Sequence, residues 1–123
     1  MNNVLDKLEI KNAAVKEIQD IASNYSHFKI GKTGQSLSDR FDSEYKNKYD
    51  RIEPVRKSSD STEIDELEKY LISRFKENWV SELTRKVHKL LTGKTMPKCD
   101  NDAVGGGEMD NSDTCYVYVV VKK

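Results

Sequence analysis

The stretch IDELEKYLISRF, residues 64–75, decides the fold of this chain. At about 100° per residue its apolar side chains share one stripe, which predicts an amphipathic helix packed on a core. The stripe comprises Ile64, Leu67, Leu71, Ile72 and Phe75. Glu68 falls inside it, where a carboxylate is costly unless it is paired or binds a metal. Glu68 is therefore either a functional residue or a glutamate at the margin of the stripe that reaches solvent or an arginine.

Turn and capping residues define the segment before this helix. Asp60, with Glu63 three residues later, predicts the N-terminal cap. Residues 51–57 predict a strand, and Pro54 confines that strand to a sheet edge or a bulge. The chain thus enters the helix from an edge of the predicted sheet.

A strand and two helices are predicted further upstream. Residues 25–31 carry aromatic and β-branched side chains and end in a glycine, which is typical of a strand followed by a loop. Ser36 or Ser38 caps a helix that continues through Tyr45. Residues 12–23 predict another helix, whereas the first ten residues show no decisive pattern.

The C-terminal run CYVYVVV, residues 115–121, predicts a strand. Its alternation places Tyr116 and Tyr118 on one face and the odd-numbered valines on the other. Before it, residues 80–91 predict a helix that ends at Thr92-Gly93, and a long loop containing the glycines 105–107 leads into the strand.

The length and composition of the chain are those of a single, polar domain. The 123 residues are 36% hydrophobic and 34% charged, and a chain of this length holds a single domain of ordinary size. No apolar run approaches the roughly 20 residues of a membrane span, and the N-terminus lacks a basic region followed by an apolar run. We therefore expect no membrane partner and an intracellular location, in the cytoplasm or, for a phage- or virus-encoded protein, in the host cytoplasm.

The sequence lacks the residue patterns that several kinds of site require. Cys99 and Cys115 are the two cysteines, and we expect no disulfide between them in an intracellular chain. Without a C-x-x-C pair, a zinc site is not expected either. Residues 31–33, Gly-Lys-Thr, match half of a phosphate-binding loop, but Ser26 stands where the first glycine of that loop belongs. Nucleotide hydrolysis is therefore not expected.

Charge is segregated along the chain although the net charge is zero. Residues 74–98 carry seven Lys/Arg against two acids, whereas residues 58–73 carry five acids against one lysine. A basic segment beside an acidic helix fits a phosphate track next to a metal site. Solvated helix faces would produce the same pattern.

The segment HFKIGKTGQSLSDRF, residues 27–41, resembles the second half of the GIY-YIG nuclease signature. In that signature a strand ending in Tyr-Ile-Gly leads to a helix that bears an arginine, and here Arg40 follows Gly31 by nine residues. Residues 66–75 are similar to the Leu-Glu-x-x-Leu-Ile helix of the family. The resemblance places the metal-binding glutamate of the family on Glu68, the residue that the helical wheel had singled out.

Two positions depart from the family pattern. Phe28 replaces the second signature tyrosine, and nothing in residues 1–24 reads as the Gly-x-Tyr strand that should come first. The C-terminal YVYVVV, residues 116–121, does resemble that strand, with Tyr118 or Tyr116 in the tyrosine role. The resemblance therefore suggests a circularly permuted member whose first strand comes last.

The resemblance implies an α/β (α+β) fold with a small antiparallel three-stranded sheet flanked by helices. Residues 1–24 would form an N-terminal helical extension and residues 25–123 the GIY-YIG-like nuclease domain. The C-terminal strand, residues 115–122, would complete the sheet by lying antiparallel beside residues 27–31.

The resemblance also implies a metal-dependent DNA endonuclease. Glu68 would ligate Mg²⁺ or Mn²⁺, Arg40 would hold the scissile phosphate, and Lys32 would assist a tyrosine near the attacking group. That tyrosine is Tyr118 or Tyr116. An asparagine often found near the end of the family core corresponds to Asn78 or Asn101. Because so small a domain has little surface for base readout, sequence specificity is expected to be low or to depend on a homodimer.

Other interpretations remain open at this point. Arg40 can pair with Glu44 along its own helix, Lys32 can be a solvated loop charge, and the two C-terminal tyrosines can be ordinary sheet aromatics. A catalytically inactive nucleic-acid-binding module of the same fold is the main alternative function. A small protein-interaction factor that uses the basic residues 74–98 is a third.

Overall fold

A computed structural model describes residues 3–77, 82–94, 96–101 and 114–123. The helices are α1 (Asn3–Ala22), α2 (Leu37–Arg40), α3 (Ser61–Glu77) and α4 (Glu82–Thr92), and a π-helical turn, Phe41–Tyr45, continues directly from α2. The strands are β1 (His27–Thr33), β2 (Arg51–Ser58), β3 (Lys98–Cys99) and β4 (Cys115–Lys122). The α+β class expected from the sequence is confirmed.

The described strands form one sheet in the order β2-β4-β1-β3. β4 is antiparallel to both of its neighbours. Its Tyr118 lies opposite Gly31 of β1, and its Val120 lies opposite Ile52 of β2. The expected antiparallel pairing of the C-terminal strand with residues 27–31 is therefore confirmed. The expected count of three strands is wrong, because the two-residue β3 adds a parallel partner at the start of β1. A strand so short leaves no periodic pattern in the sequence.

β2 is an edge strand with an irregular register between Pro54 and Arg56. Proline lacks the N–H that a central strand would need, so it is tolerated at an edge or a bulge. The prediction that Pro54 confines this strand to a sheet edge or a bulge is confirmed. The neighbouring β4 is the central strand, and its residues 117–121 are all buried, because the sheet covers both of its edges and protein layers cover both of its faces.

Helices α1 and α3 cover one face of the sheet and build the main core there. Val117, Val119 and Val121 of β4 point into this core, as the alternation predicts. Phe28 of β1 does so too, with its ring edge-on to that of Phe75 at 5.3 Å between centroids. The segment α2–Tyr45 lies on the opposite face, where Tyr45, Tyr118 and Val120 form a second, smaller cluster.

The helix ends follow local rules. Asp60 Oδ1 accepts hydrogen bonds from the backbone N–H of Thr62 at 3.0 Å and of Glu63 at 3.3 Å, which confirms the cap of α3. Gly93 ends α4 with φ of 74°, a left-handed conformation that favours glycine.

Helix α1 begins at Asn3, nine residues before the predicted start. Its Ala14, Ile18 and Ala22 join the same core as α3 and the sheet. None of the described helices combines the length and apolar character that crossing a membrane requires. The glycine-rich loop of residues 105–107 lies outside the described residues.

Candidate functional site

The first group of polar side chains centres on Tyr118. Its hydroxyl accepts a hydrogen bond from Arg40 Nε at 3.3 Å and shares another with the Tyr45 hydroxyl at 2.7 Å. The Arg40 guanidinium also contacts Glu44, with 2.8 Å between Nη2 and Oε2. Tyr118 is 1% exposed, whereas the side chain of Arg40 is 31% exposed. We call these four residues the Arg40–Tyr118 cluster; its one cation is within reach of a ligand from solvent.

Local backbone structure places these side chains. Ser36 caps α2 by accepting from the Asp39 N–H at 3.1 Å, which fixes where the helix begins. The π-helical turn then inserts one extra residue, as the bond from the Lys46 N–H to the Phe41 carbonyl at 2.9 Å shows. Such a turn rotates the residues after it and is frequent at functional sites. Here Tyr45 is buried against Tyr118 at the end of that turn.

Burial and hydrogen bonding set the charges in the Arg40–Tyr118 cluster. Burial, then the hydrogen bond with Tyr118, raises the pKa of Tyr45 far above its ordinary value, so Tyr45 stays protonated. Burial opposes the charge on Arg40, but the hydrogen bond and electrostatic contact with Tyr118, together with Glu44, outweigh burial and raise the pKa of the guanidinium. The cluster therefore holds a permanent cation beside the protonated phenol of Tyr45.

The second group centres on Glu68. Lys32 reaches from β1 to α3, where its ammonium contacts the Asp65 carboxylate and lies 3.8 Å from Glu68 Oε1. Lys32 and Glu68 side chains are 7% and 6% exposed. Glu68 Oε1 is buried with no hydrogen-bond partner among the described residues. Burial raises the pKa of Glu68 although Lys32 opposes it, whereas hydrogen bonds from Lys32 and Lys69 lower the pKa of Asp65.

The two groups lie on opposite faces of the sheet. Lys32 shares the α3 face with Phe28 and Ile30, while Gly31 faces Tyr118 on the other side. The structure thus brings Arg40 together with Tyr118, and Lys32 together with Glu68. The two pairs are linked through β1, where Gly31 lies against Tyr118 and the next residue, Lys32, contacts α3. Phe28, compared above with a signature tyrosine, lies on the α3 face, away from the Arg40–Tyr118 cluster.

The remaining residues named from the sequence occupy different places. Tyr116 is half-buried near the start of β4, opposite Thr33 on β1 and Lys57 on β2. Asn78 lies outside the described residues. Asn101 is buried, and its amide replaces a neighbouring strand: Oδ1 accepts from the Ile30 N–H at 2.9 Å and Nδ2 donates to the Ile30 carbonyl at 2.8 Å.

Sequence reasoning missed several residues of the α2 face. Tyr45 was expected as part of a helix rather than as a partner of Tyr118. Tyr49 packs edge-on against Tyr45 and donates to Asp100 Oδ2 at 2.9 Å, and Asp100 Oδ1 lies 3.0 Å from His27 Nδ1. The spacing of four between Tyr45 and Tyr49 was the signal available, since it is the spacing of neighbours on a helix face, although Tyr49 lies beyond the end of the helical segment.

The carboxylates of α3 suit a hard cation by their chemistry. Asp65 and Glu68 are one helical turn apart, and Glu68 keeps an unsatisfied oxygen. Mg²⁺ is commonly held by one or two carboxylates and keeps most of its waters. Among the described residues no group of three or more His, Cys, Asp or Glu side chains is arranged to hold a metal. The donor set thus fits a sparsely ligated magnesium ion, with Lys32 as the cation that would share those carboxylates.

Comparisons with known proteins add no relative to this geometry. A scan against protein-family models found no matching family, and neither the curated proteins nor the solved structures gave a significant match.

Proposed function

We propose that this chain is a divalent-metal-dependent endonuclease that hydrolyses DNA phosphodiester bonds. The observation that carries the proposal is the hydrogen bond from Arg40 Nε to the Tyr118 hydroxyl. A permuted GIY-YIG-like site requires the C-terminal strand to supply a tyrosine next to the arginine of the helix. These residues are 78 positions apart in the chain, and the sheet pairing of β4 with β1 brings them together.

Arg40 is the phosphate-binding residue of this proposal. Its guanidinium is charged, partly exposed and engaged with an exposed carboxylate, Glu44. A phosphodiester carries a full negative charge and presents two oxygens in the geometry that a guanidinium prefers. The guanidinium is itself only weakly hydrated, so it loses little solvation when it binds them. Substrate phosphate would therefore take the place of Glu44 on Arg40, and the charge developing on the phosphate would be stabilised there.

Tyr118 is the proton acceptor of this proposal. Arg40 Nε donates to its oxygen, and the still-protonated Tyr45 can donate to the same oxygen. Both donors point at the oxygen that would carry the charge of the phenolate. Once Tyr118 has lost its own proton to solvent, the phenolate oxygen would accept a proton from a water that attacks the phosphate held by Arg40. A magnesium ion held by Glu68 and Asp65 would supply Lewis-acid stabilisation only to a phosphate that also reaches the α3 face of the sheet.

One observation favours a second candidate function. The carboxylate of Glu68 lies on the α3 face and is engaged by Lys32, whereas Arg40 lies on the α2 face. A cation at Glu68 would therefore be separated by the sheet from a phosphate bound at Arg40. A nucleic-acid-binding module that uses Arg40 without hydrolysis needs no such arrangement, and it is the alternative that the experiment must separate.

Supercoiled plasmid, incubated with Mg²⁺, with Mn²⁺ and with chelator, separates the candidates. The nuclease predicts metal-dependent nicking that Glu68→Gln abolishes and Arg40→Ala lowers by about 10²-fold. Arg51→Ala is the matched control, because Arg51 is an exposed arginine on the edge strand β2. Cleavage by folded Glu68→Gln at the parental rate would refute the metal-binding role of Glu68, and a parental chain that does not cleave with either metal would refute the nuclease. Salt-dependent binding without cleavage would establish the binding module, and neither activity would leave the interaction factor.

A further inference from the structure

Helix α4 presents three apolar residues of its C-terminal half to solvent. Val87 is 46% exposed, Leu90 88% and Leu91 79%. Among residues 85–92 of this helix the half-buried ones are polar, namely Arg85 and His88. Arg85 ties the helix to the segment after it by donating to the carbonyls of Met96 at 3.0 Å and Pro97 at 3.2 Å. The helix is therefore amphipathic with its apolar side outward, and we call Val87, Leu90 and Leu91 the α4 stripe.

An apolar stripe in this orientation indicates a docking surface. Single exposed leucines are ordinary, but a contiguous set is typical of interaction sites on soluble proteins. A surface helix of a globular domain normally turns such a stripe toward its own core. In α4 a hydrogen-bonded arginine takes the inward position instead, so the fold holds the stripe outward.

A second surface of the same molecule has the opposite properties. A groove runs between α1 and the edge strand β2, and its apolar lining consists of Ile10, Ala13, Ala14 and Val55. Its rim carries three carboxylates, those of Asp6, Glu9 and Glu17. Arg56 also lines the groove, but Glu63 engages its guanidinium at 2.8 Å. The groove is thus apolar at its base and negatively charged at its rim.

The α4 stripe and this groove are complementary. Lys86 and Lys89 are exposed beside the stripe, so a helix with leucines at its centre and lysines at its flank matches a groove with an apolar base and an acidic rim. Two stripes packed on each other would instead bring Lys86 and Lys89 of both copies together. Charge complementarity therefore selects the groove over a second stripe.

We propose that α4 of one copy docks into the α1/β2 groove of a second copy of this chain. Leu90 and Leu91 lie on the base of the groove, and Lys86 and Lys89 lie against Glu9 and Glu17. The contact joins different surfaces of the two copies. It therefore builds a ring or an open filament, or a two-fold dimer when both copies exchange helices. It does not depend on the proposed nuclease activity.

Sedimentation equilibrium over a range of protein concentrations tests the proposal on the parental chain and three double variants. The parental chain should self-associate, and Leu90→Ser/Leu91→Ser should raise the dissociation constant at least tenfold. Lys86→Glu/Lys89→Glu and Glu9→Lys/Glu17→Lys should each weaken association similarly, since each places like charges across the contact. An equimolar mixture of the two charge variants should restore association, because the reversed lysines then meet reversed glutamates. Unchanged circular dichroism and melting temperature show that every variant is folded.

Three outcomes overturn the proposal. The first is a parental chain that stays monomeric at every concentration reached. The second is association that the groove variant Glu9→Lys/Glu17→Lys leaves unchanged, or that mixing fails to restore. The third is a Lys86→Glu/Lys89→Glu variant that loses DNA affinity while its association is unaffected, which would assign the α4 stripe and its lysines to nucleic acid instead.

Discussion

The hydroxyl of Tyr118 occupies the space that a side chain on Gly31 would need. A Cβ built on Gly31 would lie 2.3 Å from that oxygen and 2.4 Å from the ring carbon that carries it. The two residues are directly opposite in the antiparallel pair β1–β4. Because Gly31 has no side chain, the tyrosine ring can lie across β1 and reach Arg40. Glycine is required here by a neighbouring side chain.

Gly31→Ala should therefore destabilise the fold and displace Tyr118. Forcing a methyl group into a filled site costs about 1–3 kcal/mol, and Tyr118 cannot move cheaply because Arg40 and Tyr45 hold its hydroxyl. Urea unfolding measures the loss of stability. The hydrogen bond to Arg40 should weaken in the same variant, so any activity that depends on Arg40 should fall with it.

Tyr118→Ala provides the control for this explanation. In the Tyr118→Ala background the methyl group added by Gly31→Ala meets no ring. The loss of unfolding free energy that Gly31→Ala causes should therefore shrink to about a few tenths of a kcal/mol. A double-mutant cycle records this departure from additivity. Equal costs of Gly31→Ala in the two backgrounds would contradict the steric explanation.

Glu68→Gln should raise the free energy of unfolding at neutral pH by about 1 kcal/mol, since an unsatisfied buried charge is removed without a change of volume. Burial raises the pKa of Glu68 above its ordinary value of 4.5. A group with a raised pKa in the folded state stabilises the fold most when protonated, below about pH 4.5, and this contribution is lost as pH rises through the folded-state pKa.

The difference between Glu68→Gln and the parental chain should accordingly grow with pH. It should be near zero below pH 4.5 and reach its full value at neutral pH, because glutamine does not titrate. Asp65 has a lowered pKa and the opposite dependence, but it is present in both proteins and largely cancels. Chemical denaturation at several pH values measures the difference. A difference independent of pH would show that Glu68 is already satisfied as a carboxylate, by Lys32.

Sequence periodicity could predict the elements but only part of the site. The α3 stripe with Glu68 inside it, the edge position of β2 and the two faces of β4 follow from local patterns, because burial imposes a period of 3.6 or 2 on the residues concerned. Those patterns also imply that Gly31 and Lys32, as consecutive strand residues, face opposite ways. The resemblance placed Arg40, Lys32, Glu68 and Tyr118 in one site, and strand alternation divides them between two faces.

Features that depend on tertiary context left no such pattern. The first ten residues show no decisive apolar pattern, so the start of α1 at Asn3 did not follow from periodicity; packing of Ala14 and Ile18 on the core stabilises the helix. The π-helical turn that buries Tyr45 inserts one residue, which periodicity reads as an ordinary helix end. The strand-like role of Asn101 comes from a side chain pairing with backbone, which no residue spacing encodes.

Asn101→Ala should cost about 2–4 kcal/mol, because the N–H and carbonyl of Ile30 would both lose their buried partner. Asn101→Asp should be similarly costly, since a carboxylate can accept from the Ile30 N–H but cannot donate to the carbonyl. Asn12→Ala on the exposed side of α1 is the matched control. It should change the free energy of unfolding by less than about 0.5 kcal/mol, as is usual for surface sites. Hydrogen exchange at the Ile30 amide gives a local measurement, and unchanged protection in Asn101→Ala would disprove the pairing.

Tyr118→Phe and Tyr116→Phe together identify the functional tyrosine. The Tyr118 hydroxyl joins Arg40 to Tyr45 at the centre of the Arg40–Tyr118 cluster, so its removal should lower plasmid cleavage by about 10²-fold and the free energy of unfolding by about 1–2 kcal/mol. Tyr116 lies two residues closer to the start of β4 and is half-buried, so Tyr116→Phe should leave both quantities nearly unchanged. Single-turnover nicking of supercoiled plasmid measures the first quantity and urea unfolding the second. Loss of cleavage in Tyr116→Phe alone would move the tyrosine role to that residue, while a Tyr118→Phe protein that is destabilised yet cleaves at the parental rate would reduce Tyr118 to a structural partner of Arg40.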